Sequence, residues 1–176
     1  MPSYLAISAL GRDQPGIVDA LSQVILDLGG NIEESRMTVL GGEFALLVLV
    51  SGNWNAIAKL EAALPTLRAK LDLVITSKRT EPRPAQPKML PYAVEVVTMD
   101  HPGIVHDVAS FFARRSINIE DLATDSYLAP HTGTPMFNLS MKISVPGDLS
   151  IAALREEFMD FCDDLNLDAV MEPVKG

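Results

Sequence analysis

The stretch Asp13-Gln14-Pro15-Gly16-Ile17-Val18 returns 87 residues later as Asp100-His101-Pro102-Gly103-Ile104-Val105. A second pair of matching segments, Asn31-Ile32-Glu33-Glu34 and Asn118-Ile119-Glu120-Asp121, has the same spacing. Two landmarks repeated at one interval indicate that a whole structural unit has been duplicated. The chain is therefore predicted to consist of two copies of one small domain.

Each copy has two predicted helices, because its apolar residues follow the 3.6-residue period of one buried face. The first helix of the first copy carries this period over Ile17, Val18, Leu21, Val24, Ile25 and Leu28. The second helices carry it over Ile57, Leu60, Leu64, Leu67 and Leu71, and over Ile151, Leu154, Phe158, Phe161 and Leu165. Pro65 is expected to kink or restart its helix. Ser150 is expected to cap the last helix.

The remaining apolar segments are predicted strands. They span residues 5–10, 32–40, 43–51 and 73–76 in the first copy, and residues 92–98, 119–127, 136–145 and 168–171 in the second. Gly41-Gly42 predicts a tight hairpin, and residues 128–135 form a longer loop at the matching place. Each copy therefore has the order β-α-β-β-α-β. This order predicts an α+β, ferredoxin-like fold, in which an antiparallel sheet has two helices on one face.

A proline-rich segment separates the two copies. Residues 81–90 include Pro82, Pro84 and Pro87, which favour extended polyproline geometry and make a semi-rigid spacer. The predicted domains are therefore residues 1–80 and residues 91–176, with residues 81–90 as the linker.

The composition excludes several classes of protein. The chain has 23 acidic and 14 basic residues, a formal net charge of −9, and no cluster of basic residues, so direct nucleic-acid binding is not expected. The longest apolar run, residues 44–50, is too short to cross a bilayer, and we recognise no signal peptide. The lone cysteine, Cys162, lies among apolar residues and fits a reducing compartment. We expect a cytoplasmic protein that does not contact the membrane.

The repeated loop joins the first strand of each copy to its first helix. Backbone N–H groups are free at such a terminus and the helix dipole is positive there, which suits a carboxylate or a phosphate. Gly16 and Gly103 carry no side chain that would keep a ligand from the main chain. The carboxylates of Asp13 and Asp100 are suited to pair with an ammonium group. Together these groups suggest a receptor for a free amino acid.

A purely structural interpretation of the same residues stays open. An aspartate before a helix is an ordinary N-cap, a proline suits the first turn, and a glycine relieves crowding. Asn31 and Asn118 follow turns, so a left-handed turn conformation explains them as well as ligand contact does.

No catalytic or metal-binding motif is present in the sequence. Nucleophile elbows, Walker loops, zinc-protease motifs and dinucleotide fingerprints are all missing. His101 and His106 are five residues apart, which does not place them on one helical face, and His131 lies in the longer hairpin loop. We predict no enzyme activity, no metal and no cofactor.

One predicted strand is apolar on both of its faces. Phe44, Leu46, Val48 and Val50 alternate toward the predicted core, while Ala45, Leu47 and Leu49 point the other way. Apolar residues on both faces indicate that both faces are covered. We therefore predict an interface over Ala45, Leu47 and Leu49, with another domain or a second chain.

These residues resemble the ACT domain family of small-molecule-sensing modules, over both halves of the chain. The resemblance rests on Asp-x-Pro-Gly-Ile-Val after the first strand and on Asn-Ile-Glu at the second. The tandem pair without an attached enzyme, and the stretch Asn-Trp-Asn-Ala-Ile-Ala-Lys-Leu-Glu at residues 53–61, are similar to the glycine cleavage system transcriptional repressor group. The implied ligand contacts are Asp13, Pro15, Gly16, Ile17, Asn31 and Ile32, and in the other half Asp100, Pro102, Gly103, Ile104, Asn118 and Ile119.

The resemblance also implies partners. ACT domains commonly bind amino acids at interfaces between paired domains, which implies a homo-oligomer or an intramolecular pair. Similarity to the repressor group implies glycine sensing, and action through a LysR-type transcriptional activator without contact to DNA. Gln14 stands where the second copy has His101, which suggests that the two sites are not equivalent. The alternatives are a regulatory module related to formyltetrahydrofolate deformylase or to amino acid biosynthetic enzymes, and a purely structural dimerisation module.

Overall fold

The computed structural model describes residues 1–86 and 88–175, which form two compact units. The first unit, Met1–Pro84, is called domain 1 below, and the second, Ala85–Gly176, is called domain 2. The division between them falls inside the segment predicted as a linker, residues 81–90. The first strand of domain 2 begins at Met89, where Met89 pairs with Pro146, so the end of that segment belongs to a sheet.

Domain 1 has the predicted element order. Its elements are β1 (Ser3–Arg12), α1 (Ile17–Asp27), β2 (Asn31–Leu40), β3 (Glu43–Gly52), α2 (Trp54–Leu71) and β4 (Leu73–Thr80). The strands reach further than the apolar pattern indicates. Strand β4 continues to Thr80 instead of ending at residue 76, because it pairs with β1 along its whole length and does not need alternating side chains to do so.

Domain 2 repeats this order. Its elements are β5 (Met89–Met99), α3 (Ile104–Ala113), β6 (Asn118–Leu128), β7 (Pro135–Pro146), α4 (Ile151–Asp164) and β8 (Asp168–Pro173). The loop between β6 and β7 is shorter than predicted, since Leu128 and Pro135 already pair with each other.

Each domain contains one four-stranded antiparallel sheet. The strand orders are β2-β3-β1-β4 and β6-β7-β5-β8, so β2 and β6 are edge strands in equivalent positions. The buried side chains of the strands and those of the two helices form one apolar core per domain. The α+β, ferredoxin-like prediction is confirmed. The core lies on one side of each sheet and leaves the other side open.

The predicted helical faces are confirmed except at their margins. Val18, its counterpart Val105 in the second copy, and Leu165 are exposed, although the helical period predicted that all three would be buried. The buried face of α1 is centred on Ile17, Leu21 and Ile25. A residue immediately after Ile17 is rotated by about 100° and lies beyond that face. Helix α4 ends at Asp164, so Leu165 follows the helix.

Helix α2 does not restart at its proline, so the prediction of a restart is wrong. The helix is a single element from Trp54 to Leu71 with Pro65 inside it. Pro65 lies on the exposed side between the buried residues Leu64 and Leu67, where water can satisfy the carbonyl that the proline leaves without a donor. The predicted cap of α4 is confirmed, because Ala153 N donates to Ser150 Oγ at 3.3 Å.

Candidate functional site

The repeated loops have the same unusual backbone conformation. Gly16 has φ 90° and ψ 0°, Gly103 has φ 97° and ψ −7°, and each is the residue at which its helix begins. Residues with side chains rarely adopt this left-handed region, which explains the glycine at both positions. A Cβ atom at Gly16 would meet no atom within 4 Å, and one at Gly103 only Asp107 Oδ2 at 3.8 Å. Relief of crowding is therefore not the reason for the glycines.

The two helix entrances are open. Neither α1 nor α3 has a side-chain cap, and the first intrahelical bonds are those from Ala20 N to Gly16 O and from Asp107 N to Gly103 O. The N–H groups before them have no acceptor within the helix. The loop residues Asp13, Pro15, Asp100 and Pro102 are all exposed, as are both glycines. The predicted anion-binding terminus is therefore accessible from solvent in each domain.

Asp13 and Asp100 do not cap the helices, so the interpretation of these residues as N-caps is wrong. Their main chains instead attach the loops to the neighbouring hairpins. Asp13 N donates to Gly42 O at 3.1 Å, and Asp100 N donates to Pro135 O at 2.9 Å. Among the described residues neither carboxylate has a hydrogen-bond partner, so both remain available to a ligand.

Ile17 and Ile104 can offer a ligand only their main chains. Each side chain is 2% exposed and belongs to the core of its domain. These side chains fix where the first helical turn lies, so the open N–H groups keep a constant position. Their role at the site is to place the main chain.

Asn31 and Asn118 are not left-handed turn residues, so that interpretation is wrong too. The left-handed residues before them are Gly29 and Ser116. The asparagines begin β2 and β6, where Asn31 Nδ2 donates to Glu33 Oε1 at 3.1 Å and Asn118 Nδ2 to the equivalent glutamate at 2.9 Å. Strands β2 and β6 both have a register shift at that glutamate. The repeated Asn-x-Glu is therefore a brace across a β-bulge.

Glu33 was missed as a member of this group. Ser51 Oγ donates to the same Oε1 atom that Asn31 contacts, and these two hydrogen bonds lower the pKa of Glu33. The carboxylate therefore stays charged and keeps the asparagine amide in place. The sequence signal was the third position of the repeated Asn-Ile-Glu.

The two halves of the predicted site lie at opposite ends of each sheet. Asn31 pairs with Ser51, whereas the Asp13 loop is bonded to Gly42 at the other end of β3. At about 3.3 Å per residue, nine residues of strand separate them by roughly 30 Å. The register of domain 2 places Asn118 and Asp100 equally far apart. One domain therefore cannot bring its loop and its asparagine to the same small ligand.

Edge strand β2 carries an uncovered apolar row. Ile32, Met37 and Val39 are on the helix side of the sheet, as their pairing with buried residues of β3 shows, yet all three are exposed. The full row of β2 is Ile32, Ser35, Met37 and Val39, and the matching row of β6 is Ile119, Leu122, Thr124 and Ser126, which has two polar residues instead of one. Exposed apolar edge strands favour pairing with another chain.

The loops differ at the position that the sequence analysis singled out. Gln14 Nε2 donates to Leu71 O at 3.1 Å and so connects the first loop to the end of α2. His101 Nδ1 lies 3.1 Å from Pro102 O, within its own loop. The first loop is therefore bonded to α2 through Gln14. The equivalent side chain in the second loop, His101, is directed to its own loop instead.

The predicted interface residues lie on the open face of the domain 1 sheet. Leu47 is 61% exposed, and Ala45 and Leu49 are half-buried. The neighbouring strands add Leu10 and Val74, both exposed and on the same face. Domain 1 therefore has an uncovered apolar face, and the interface over Ala45, Leu47 and Leu49 stays a prediction.

The described residues contain no other reactive centre. Cys162 is buried, and burial raises the pKa of its thiol to about 12, which keeps it protonated and unreactive. Residues 1–86 and 88–175 contain no group of three or more His, Cys, Asp or Glu side chains that could hold a metal ion. Over the same residues, no helix has both the length and the apolar character needed to cross a membrane.

Comparison with known proteins identifies related chains. The ACT domain family model matches residues 3–78. The chain is 35% identical over 163 residues to the glycine cleavage system transcriptional repressor of Escherichia coli K12, which covers 93% of this chain and 86% of the relative. The same values hold for the repressor of Shigella flexneri.

Two crystal structures match the whole chain. One is a protein from Galdieria sulphuraria described as unknown, with a TM-score of 0.85 and 28% identity over 99% of this chain and 100% of that one. The other is provisionally assigned as a glycine cleavage system transcriptional repressor, with a TM-score of 0.73 and 30% identity over 100% and 99% of the two chains. The tandem arrangement is therefore present in solved proteins of the same length.

Proposed function

The chain belongs to the ACT domain family and, over almost its whole length, to the group of the glycine cleavage system transcriptional repressor, and from this membership we propose that it senses an amino acid and controls transcription through a protein partner. The repressors that match almost the whole chain are regulators and not enzymes, so the chain is a non-catalytic regulatory protein. Glycine is the ligand that the relatives' name suggests for this chain.

The observation that carries the proposal is the uncapped, solvent-accessible helix entrance. At Gly16, open N–H groups and the positive end of the α1 dipole favour a carboxylate. The unpaired carboxylate of Asp13 lies in the same exposed loop and is suited to an ammonium group. A free amino acid offers both charges, whereas a phosphate offers only the first.

A second copy of the chain completes the site in this proposal. If β2 of one chain pairs antiparallel with β2 of another, the start of one strand lies beside the end of the other. Asn31 then comes close to the partner's hairpin at Gly41-Gly42, to which the Asp13 loop is bonded. The same pairing covers the exposed row Ile32, Met37 and Val39. The paired chains then bind the ligand more tightly than a separate chain does. The ligand can carry a signal because its affinity differs between these two states.

The chain's charge supports action through a protein. A net charge of −9 without a basic cluster opposes contact with a phosphate backbone. We propose that the partner is a DNA-binding protein of the LysR type in the cytoplasm, and that the amino acid shifts the population of chains able to bind it.

Calorimetric titration with amino acids tests the sensor proposal. We expect saturable heat with glycine, or with another small amino acid such as serine, and none with the matching amine or with acetate, because both charges are needed. If no amino acid gives saturable heat, the structural dimerisation module is the correct interpretation.

The open face of domain 1 is proposed as a further contact surface. Its residues Leu47 and Leu49 correspond to Ser140 and Lys142 in domain 2, where the same fold forms without leucines. The fold does not require them, which leaves contact with another surface as their role.

Changing Leu47 and Leu49 together to lysine tests this surface. We expect a smaller sedimenting mass in analytical ultracentrifugation, because charged side chains oppose burial of the face. The melting temperature of the separated chain should change little, since Leu47 is already 61% exposed. Lys142→Leu in domain 2 is the matched control. An unchanged mass and an unchanged melting temperature would exclude the interface.

A further inference from the structure

The negative charge of the chain is concentrated in domain 2. Residues 1–84 carry nine acidic and eight basic side chains, a net charge of −1, whereas residues 85–176 carry fourteen acidic and six basic, a net charge of −8. The two domains share one fold, so the architecture does not account for this difference. A function specific to domain 2 is a physical reason for it.

A groove on the helical side of domain 2 collects part of this charge. It lies between α3 and α4, has a volume of about 450 Å³ and is lined by both helices. Its apolar part is formed by Phe111 and Phe161, whose ring centroids are 5.0 Å apart. Phe161 is only half-buried, so aromatic surface is accessible from the groove.

The two ends of the groove differ in charge balance. At one end Arg115 donates to Glu157 at 2.8 Å and stacks on Phe111, so this carboxylate is already paired. The groove is also lined by His106 and Arg114, so its carboxylates outnumber its arginines by four to two, and by the aspartates Asp107, Asp160 and Asp164. Within the described part of the chain these three carboxylates have no ion pair or side-chain hydrogen bond. Their charge is available to a cation from outside.

The internal repeat shows that the fold does not need these residues. The corresponding positions of domain 1 are Ala20, Thr66 and Lys70 for the three aspartates, and Val24 and Leu67 for the two phenylalanines. The matching positions of α1 and α2 therefore carry no carboxylate, and aliphatic residues stand in place of the two phenylalanines. Acidic and aromatic character are specific to domain 2.

The position of the acids in α4 opposes helix stability. Asp160 and Asp164 lie in the C-terminal part of α4, where the dipole disfavours negative charge, and its last turn has no basic residue. The last turn of α2 instead carries Arg68 and Lys70, as the dipole favours. Residues that oppose the stability of their own helix and do not contribute to the core are expected at functional sites.

We propose that the α3–α4 groove of domain 2 binds a basic segment of a partner protein. Arginine or lysine side chains of that segment lay their apolar stems on Phe161 and place their charged groups beside Asp107, Asp160 and Asp164. The inference rests on the proposed function, because it assigns the surface through which the regulator contacts its protein partner. The acidic rim favours a positively charged partner. The aromatic surface favours side chains with an apolar stem, such as those of arginine and lysine, over a small cation that has none.

A synthetic amphipathic helical peptide of leucine and arginine is the probe for the full chain. We expect fluorescence anisotropy to show salt-dependent binding, and NMR shifts confined to α3 and α4. Asp160→Asn with Asp164→Asn should weaken binding roughly tenfold, as two rim ion pairs at up to about 1 kcal/mol each allow. The melting temperature of this variant should be equal or higher, because the two charges oppose the helix dipole.

Asp168→Asn with Glu172→Gln is the matched control. It changes the net charge equally but on the open sheet face, and it should leave peptide binding unchanged. Equal weakening by both pairs, displacement of the peptide by spermidine at equal concentration, or a lower melting temperature of the groove variant would each overturn the proposal. Glycine titration of the groove variant separates the two proposals, because the Asp13–Gly16 loop lies in domain 1 and should bind glycine as in the wild type.

Discussion

Replacing Phe158 with alanine is expected to lower the free energy of unfolding of domain 2 by about 3–5 kcal/mol. Phe158 is 0% exposed and lies at the centre of the aromatic part of the core. Its ring centroid is 5.2 Å from that of Phe111 and 5.1 Å from that of Phe112. Alanine leaves a cavity that these rings cannot fill without leaving their rotamers. Chemical denaturation followed by circular dichroism measures the loss.

Domain 1 supplies the internal control for this experiment. Its core is a separate cluster, so its unfolding transition should stay at the wild-type denaturant concentration. Phe161→Ala should cost less than Phe158→Ala, because Phe161 is only half-buried. A loss below about 1 kcal/mol for Phe158→Ala would contradict the described core.

Asp13→Asn and Asn31→Ala are each expected to weaken binding of the amino acid by roughly tenfold or more, although the two residues lie about 30 Å apart in one domain. The expected size follows from the 1.5–3 kcal/mol that hydrogen bonds to charged groups typically contribute. Asp13→Asn removes the charge that attracts the ammonium group. Asn31→Ala removes a group that only a second chain can bring to the ligand. Calorimetry with glycine, or with the amino acid that the screen identifies, measures both.

Asp148→Asn, an exposed carboxylate far along the chain, is the control for net charge and should bind normally. Asn31→Ala also removes a brace from the β2 bulge. Glu33→Gln therefore serves as a companion variant, since it weakens the same brace and keeps Asn31. If Asn31→Ala binds with wild-type affinity, the strand is not part of the site.

The repeated segments predict the fold almost completely. Two landmarks at one spacing define the duplication, and apolar periodicity predicts every helix and strand. The errors lie where local patterns compete with tertiary structure. Pro65 is tolerated inside α2 because it faces solvent, and Val18 is exposed because the core contacts only the centre of the α1 face. Neither outcome can be deduced from the residue type alone.

The candidate site could be predicted as a set of residues but not as a place. Asp13 and Gly16 share one loop, which the sequence makes plain. The predicted β-α-β order already places the end of β1 and the start of β2 at opposite ends of the sheet, but it does not show which second domain or chain brings an asparagine back to the loop. Alternation alone places residues 31 and 33 on one face of a strand, so the Asn31–Glu33 contact could have been predicted, whereas the register shift beside it could not.

The repeat is also the most useful control that the molecule offers. Open loops and braced bulges occur in both domains, as expected for features that were duplicated together with the fold. The leucines on the open face occur only in domain 1, and the acidic aromatic groove only in domain 2. The two proposals therefore assign an apolar contact surface to domain 1 and an acidic one to domain 2.

Mixing two defective chains tests most directly whether the ligand site is shared between copies. Both chains carry Asp100→Asn, which disables the second loop; one also carries Asp13→Asn and the other Asn31→Ala. Each alone should bind the amino acid poorly, but an equimolar mixture that has exchanged subunits should recover about a quarter of the sites of the Asp100→Asn reference, because a mixed symmetric pair contains one intact site. Calorimetry that finds no recovered sites in the mixture would contradict the account.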